Sequence, residues 1–506
     1  MKINLKPVFK VLPYLCVVWI VGACHQPNTK KQNATGADSA DTIAHKLPVK
    51  AMHDDLAILW SVIKEMHPAY GVFTPPDSLR RTFDQVVASI HEPLSETDFI
   101  AHVYPFISNL RCGHTQVKYP AGYKPSGPRP PHLPFEVLVK NHHAWITTHN
   151  SDELHTGDEI ISMNNTPVVA IINHGYDLYG GDGYNETFKE IFLSEYGGFE
   201  DACNKYYHWQ PPYHITLRTK QGKLKNLEVN ALAPGAALNT STTNANNLAD
   251  WTESKNTDYL PLRFLKNKST AWFVTKPYQY ADTNIYKEAF KEIHQRGIKN
   301  LILDMRHNTG GDIRVAIRLL SFLADSSFSI IKDVKARIPN PAISRFERYF
   351  DTARTSSFNE GFEPGPEDGT YYHIKFRPTA WGQLYGKLPL YKADHYKGKL
   401  IVLIDGATFS SAALFTAALK AQRKDVVFVG RETAGNEQAC SGGTIQHLTL
   451  PDTHVIVDFP WMRFVSAAKH YDFGRGIMPD YPVEYSPEDI VNKTDPDLQK
   501  ALSLVN

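Results

Sequence analysis

Apolar positions along residues 53–118 recur with helical spacing. Within 54–66 (DDLAILWSVIKEM), Leu56, Leu59, Trp60 and Ile63 fall on one stripe. His67-Pro68 closes that stripe, because a residue before proline is pushed out of helical backbone. Ser95 and Asp98 form a capping-box pattern ahead of Phe99, Val103, Phe106, Ile107 and Leu110, a second 3.6-residue stripe. Gly113 in Arg111-Cys112-Gly113-His114-Thr115-Gln116-Val117 predicts a turn into a short strand, and the proline-rich run 120–134 a boundary. Residues 49–120 are therefore expected to form an N-terminal helical domain. Residues 130–235 read as β-rich, with PFEVLVK and AWITTH as strands, a Gly157-Asp158 turn, and an irregular, partly helical continuation at 176–208. From about 255 to 495 the pattern alternates. Strands are expected at 271–275, 301–305, 400–404 and 426–429, helices at 284–297, 311–325 and 409–423, and a hairpin near 444–459. Such alternation predicts an α/β core with parallel pairing. The aromatic, Pro/Gly-rich stretch 330–398 yields no element. The whole reads as an α/β multidomain chain.

The N-terminus departs from this globular pattern. Lys2, Lys6 and Lys10 precede a short apolar run at 11–23, below the roughly 20 residues that span a bilayer. The run ends Val21-Gly22-Ala23-Cys24, which resembles a bacterial lipobox, so residues 1–24 are expected to be a lipoprotein signal peptide with Cys24 lipidated. Residues 25–48 are polar and lack apolar periodicity, as a tether would. The expected location is the bacterial cell envelope, lipid-anchored on the periplasmic or outer-membrane face. Cys112, Cys203 and Cys440 then remain, an odd number without metal-type spacing. Composition excludes other classes. With 42% hydrophobic and 21% charged residues the chain is neither disordered nor collagenous. The net charge of +1 leaves no basic field for nucleic acid.

Two segments carry candidate chemistry. In Lys399-Leu-Ile-Val-Leu-Ile-Asp405-Gly-Ala-Thr-Phe-Ser410-Ser411, a buried strand ends and a helix opens at a serine. Unpaired N–H groups of a first helical turn beside a hydroxyl suit acyl transfer, although a serine there also serves as an ordinary N-cap. In Leu301-Ile-Leu-Asp304-Met-Arg306-His307-Asn308-Thr309-Gly310-Gly311-Asp312, paired glycines let backbone amides approach a ligand, or simply make a βα turn. Cys112 two residues before His114 could suggest a thiol nucleophile or a metal ligand, but no partner cysteine or histidine cluster accompanies it.

Taken together, Asp-x-Arg-x-Asn-x-Gly-Gly, the later Thr-Phe-Ser-Ser-Ala, Gly430-Arg-Glu-Thr-Ala-Gly435 and Gly474-Arg-Gly-Ile-Met-Pro479-Asp480 resemble the tail-specific (carboxy-terminal processing) serine peptidases, closer to the branch of the tricorn core protease. The segment around "GDEIISMN" resembles the turn and strand of PDZ domains. The resemblance implies a helical head, a PDZ-like insert and a ClpP/crotonase-like α/β peptidase core. It implies no cofactor, no metal, and a peptide or protein substrate. It places Ser410 on the nucleophile and Gly310, Gly311 and the Ser411 amide on the oxyanion hole. The lysine of the family's Ser-Lys dyad is Asn436 here, so His114, in the Gly-His-Thr slot, is the expected base. Its titration is expected near pH 6–7. The third residue is Asp472 or Glu432, with Lys469 and His470 as further groups to consider. Ala413 stands where the family often has Glu. A non-catalytic peptide-binding lipoprotein on the same scaffold is the rival reading, and a Cys112 thiol enzyme a third.

Overall fold

The computed structural model describes residues 46–125, 128–238, 248–266, 268–351, 361–377 and 384–505, so Cys24 and nearly all of the tether lie outside the described residues. The framework is a seven-stranded sheet. Its order runs Tyr481–Pro482, Val426–Gly430, Lys399–Ile404, Asn300–Asp304, Thr270–Val274, Leu262–Leu265 and Trp251–Glu253. The first five strands pair in parallel and the last two antiparallel. Leu301–Asp304 and Leu400–Ile404 are buried throughout, as the near-continuous apolar runs require of strands covered on both faces. Helices Thr283–Gln295, Ile313–Leu323 and Ser410–Gln422 share one core with one face of the sheet, and Leu498 and Ala501 of Pro496–Ser503 cover the other. The α/β reading of this core is borne out.

A second, antiparallel sheet lies beyond it. Ile456–Ser466 pairs with Gln116–Lys118, Ile331–Ala336 and Ala439–Thr449, and Tyr372–Phe376 and Phe362–Glu367 extend the sheet to its edge. Three of these strands fall in the stretch 330–398 where no element was expected. Phe362–Glu367 carries Pro364 and Gly365, which argue against a strand by sequence, and it survives because it occupies the edge.

Helices Val49–Met66, Pro76–Ser89 and Glu96–Ser108 bury the predicted stripes, Trp60 only in part, and not only against one another. Their core includes Leu448, Val457 and Phe459 of the long hairpin, and the Asp55 carboxylate accepts the Thr453 N–H at 2.7 Å and its hydroxyl at 2.6 Å. Residues 135–229 form a six-stranded antiparallel sheet covered by Val168–Leu178, with Thr187–Glu195 and Gly198–Tyr206 inserted before the last hairpin. Among the described residues no helix is long and apolar enough to cross a membrane.

Candidate active site

Asp304 pairs with Leu403 across adjacent parallel strands, so the turns that follow, 305–312 and 405–410, lie side by side at the carboxyl edge of the sheet. That edge is where open α/β sheets place ligands. Buried polar side chains fix both turns. Arg306 bridges Asp304 (2.6 Å), Asp495 (2.7 Å) and Asp497 (3.1 Å), tying the first turn to the C-terminal helix. The Asp405 carboxylate accepts the His307 N–H at 3.1 Å and the Ala407 N–H at 2.9 Å. Asn308 accepts the Gly310 N–H on its side chain and the Phe409 N–H on its carbonyl, joining one turn to the other.

Ser410 opens its helix in the left-handed region, at φ +52°, a strained backbone for a residue with a Cβ. Its Oγ lies 3.0 Å from Nε2 of His114. The His114 ring is buried and stacks on Phe409, with centroids 4.4 Å apart. Gly442 leaves room for that ring, since a Cβ there would sit 3.1 Å from His114 Cε1. Gly310 lies so close to Ser410 that a Cβ would meet Ser410 Cβ at 2.7 Å and the Ser411 nitrogen at 2.8 Å.

Residues 274–483 match the profile of peptidase family S41. That segment is similar to the S41 peptidases. A probable CtpA-like serine protease of Staphylococcus aureus (strain COL) is 20% identical over 198 residues, 39% of this chain and 30% of the relative. A second such protein, from Staphylococcus epidermidis, is likewise 20% identical over 197 residues. The chain thus matches less than a third of the length of these curated relatives. The structure of mature CPAF complexed with lactacystin shares the fold, with a TM-score of 0.58 at 14% identity, over 90% of this chain and 97% of that one.

The S41 segment contains Ser410, Ser411, Gly310 and Gly311, whereas His114 comes from the helical head. Of the three amides expected in an oxyanion hole, that of Gly310 is already donated to Asn308. Those of Gly311 and Ser411 have no acceptor among the described residues. The Ser411 hydroxyl donates to the Gly311 carbonyl at 3.0 Å, holding the two together.

Asp472 is not brought to His114. It is exposed, in a loop where its carbonyl accepts the Arg475 N–H. Glu432 is likewise occupied elsewhere, with Arg475 at 2.5 Å and the Gly476 N–H at 2.8 Å, and it clamps the Gly474–Asp480 loop. Lys469 and His470 are exposed. Asn436 is buried and accepts the Gln438 N–H, with no hydrogen bond to Ser410 or His114. Ala413 has a packing reason, because a Cβ on Gly435 would meet its methyl at 2.2 Å. Cys112 does not fit a thiol enzyme. Burial pushes its pKa up to about 12, and its Sγ faces the Ser441 carbonyl at 3.9 Å. The imidazole titration also differs from the expected range. Burial pulls the His114 pKa down to about 4, opposed only by the nearby Ser441 backbone.

Two neighbours of His114 were not anticipated from sequence, Asp182 and Cys440. One ring nitrogen of His114, a carboxylate oxygen of Asp182 and the Cys440 sulfur lie within 4.8 Å of one another. Asp182 stands in Gly180-Gly181-Asp182-Gly183, and three glycines around one acid are the signal of a close backbone approach. A Cβ on Gly183 would lie 2.3 Å from the Gly474 carbonyl, and Asp182 Oδ1 accepts the Gly113 N–H at 2.9 Å.

Proposed function

We propose that the protein is a serine-type peptidase that hydrolyses peptide bonds in peptides or in unfolded or processed proteins, with Ser410 as nucleophile and His114 as general base. The 3.0 Å approach of Ser410 Oγ to His114 Nε2, at a strained strand-to-helix turn, carries this reading. Ser410 Oγ attacks the carbonyl carbon and its proton passes to Nε2. The Gly311 and Ser411 amides receive the developing oxyanion. Collapse breaks the C–N bond, and the amine leaves with the proton from His114. A water then hydrolyses the acyl-enzyme by the same route, which returns the Ser410 hydroxyl. A ring with a lowered pKa stays neutral at physiological pH and is ready to accept that proton.

Two further readings belong to this proposal. Residues 135–229 act as a PDZ-like module that captures extended peptide on an edge strand, by main-chain pairing. Lipidation at Cys24 anchors the protein in the bacterial envelope, supported by the Gly-Ala-Cys ending of the apolar run.

A fluorophosphonate probe on residues 49–506, with cleavage of a mixed peptide library, tests the activity. Labelling mapped to Ser410 and lost in Ser410→Ala is the expected result. A folded chain that is neither labelled nor active would instead be a binding protein on this scaffold. Cys24→Ala should move the full chain from the membrane pellet to the soluble fraction, and an unmodified mature N-terminus beyond residue 24 would overturn the anchor.

A further inference from the structure

The His114 ring needs an orienting partner that neither Asp472 nor Glu432 supplies. For Nε2 to accept the Ser410 proton, the ring must carry its own hydrogen on Nδ1. Nδ1 is buried without a well-formed hydrogen bond among the described residues, although the Ser441 backbone also acts on the ring. Oδ2 of Asp182 is buried and makes no hydrogen bond among the described residues. Nε2 is engaged by Ser410, and one of the two ring nitrogens lies within 4.8 Å of an Asp182 carboxylate oxygen. A separation within 4.8 Å suits one bridging water, with hydrogen bonds of about 2.8 Å on each side. Asp182 Oδ1, meanwhile, takes the Gly113 N–H and fixes the backbone just before the histidine.

We infer that Asp182, from the insert, is the positioning residue of the site: it fixes the His114 tautomer through one bridging water and compensates the imidazolium formed when Ser410 loses its proton. This rests on the peptidase reading above and names a member of that same site. Water suits the place better than a cation would. Burial keeps the Cys440 thiol protonated, and the buried Arg463 guanidinium already acts on Asp182. The charged and titratable groups around Asp182 are Arg463, which favours its ionisation, His114, and the neutral thiols of Cys112 and Cys440. Burial outweighs Arg463 and raises the Asp182 pKa to about 7. The carboxylate is therefore lost as pH falls through neutrality, well before His114 itself protonates.

Asp182→Asn is the discriminating variant, because an amide oxygen can still accept the Gly113 N–H while the charge is gone. Were Asp182 only an anchor for Gly113, activity would survive. The inference expects kcat to fall by ~100-fold or more with KM little changed, because the lost interaction is made in the transition state. It also expects a step in the wild-type kcat/KM profile near pH 7 that is missing in Asp182→Asn. A second measurement covers a variant that misfolds. In the unmutated chain, the nitrogen resonances of His114 should show an Nδ1–H tautomer that shifts as pH crosses 7. An active, folded Asp182→Asn enzyme with the wild-type pH profile would overturn the inference, as would an Nε2–H tautomer. If the wild-type chain cleaves nothing but the His114 resonances still respond to Asp182, the peptidase reading fails and the pairing stands.

Discussion

Replacing Gly310 by alanine should abolish the proposed turnover while leaving most of the fold. The added Cβ would lie 2.7 Å from Ser410 Cβ and 2.8 Å from both the Phe409 carbonyl oxygen and the Ser411 nitrogen. Ordinary contact begins at 3.4 Å, so these atoms must retreat by about 0.7 Å (3.4 − 2.7). None is the end of a flexible side chain. They are the Cβ and flanking backbone of the nucleophile, held by the Phe409 N–H on Asn308. A misplacement approaching 1 Å costs ~100-fold in rate, and loss of one oxyanion donor costs ~100- to 1,000-fold. We therefore expect kcat/KM to drop by at least ~100-fold, or ~2.7 kcal/mol in the barrier. The φ of +93° adds ~1–2 kcal/mol of backbone strain against stability. Gly222→Ala is the control, with φ +81° and no atom within 4 Å of the new Cβ. It should lose similar torsional stability and no activity. Peptide turnover, fluorophosphonate labelling and urea unfolding on the three chains read these effects separately. Activity of Gly310→Ala within ~3-fold of wild type would refute the placement of Ser410 against this turn.

The remaining predictions concern charge. Asp472→Asn should leave turnover within ~2-fold, whereas Glu432→Gln should loosen the Gly474–Asp480 loop and raise its hydrogen exchange. Arg306→Met leaves buried Asp304, Asp495 and Asp497 without their cation and should cost ~3–5 kcal/mol in urea unfolding. Stability against pH carries two opposed contributions. Burial lowers the His114 pKa from 6.5 to about 4, so the unfolded chain takes up the proton first, and this stabilisation, full above 6.5, is lost as pH falls to 4. The Asp182 pKa is raised from 3.8 to about 7, so its contribution is full below 3.8 and is lost as pH rises to 7. Between pH 4 and 6.5 the two largely cancel. His114→Gln should therefore make stability fall with rising pH in that window, and Asp182→Asn should make it rise.

Elements with one dominant signal were legible in the sequence. The apolar runs at Leu301–Asp304 and Leu400–Ile404 lie between two covered faces, so composition alone marks them. Ser95 caps its helix through the Asp98 N–H, as the capping-box pattern predicts. Ser410 and His114 came from motifs, and the fold brings them together across most of the chain. What escaped depends on tertiary contact. Asp472 has the right charge near the right motif, but its loop faces solvent and Glu432 holds the neighbouring Arg475 instead. Asp182 reaches His114 only because the insert folds back onto Gly113 and Ala434, a contact with no local periodicity. The low His114 pKa has the same origin, since burial under Phe409 and Ser441 belongs to no single segment.

The most direct test of the account is the double-mutant comparison of Ser410→Ala, His114→Ala and the double variant, with kcat/KM measured on one cleaved peptide. If the two side chains act as one unit, each single variant should lose ~1,000-fold or more, and the double variant should be within ~3-fold of the worse single. A folded His114→Ala chain with wild-type turnover, or losses that simply multiply, would contradict the assignment of His114 as the base serving Ser410.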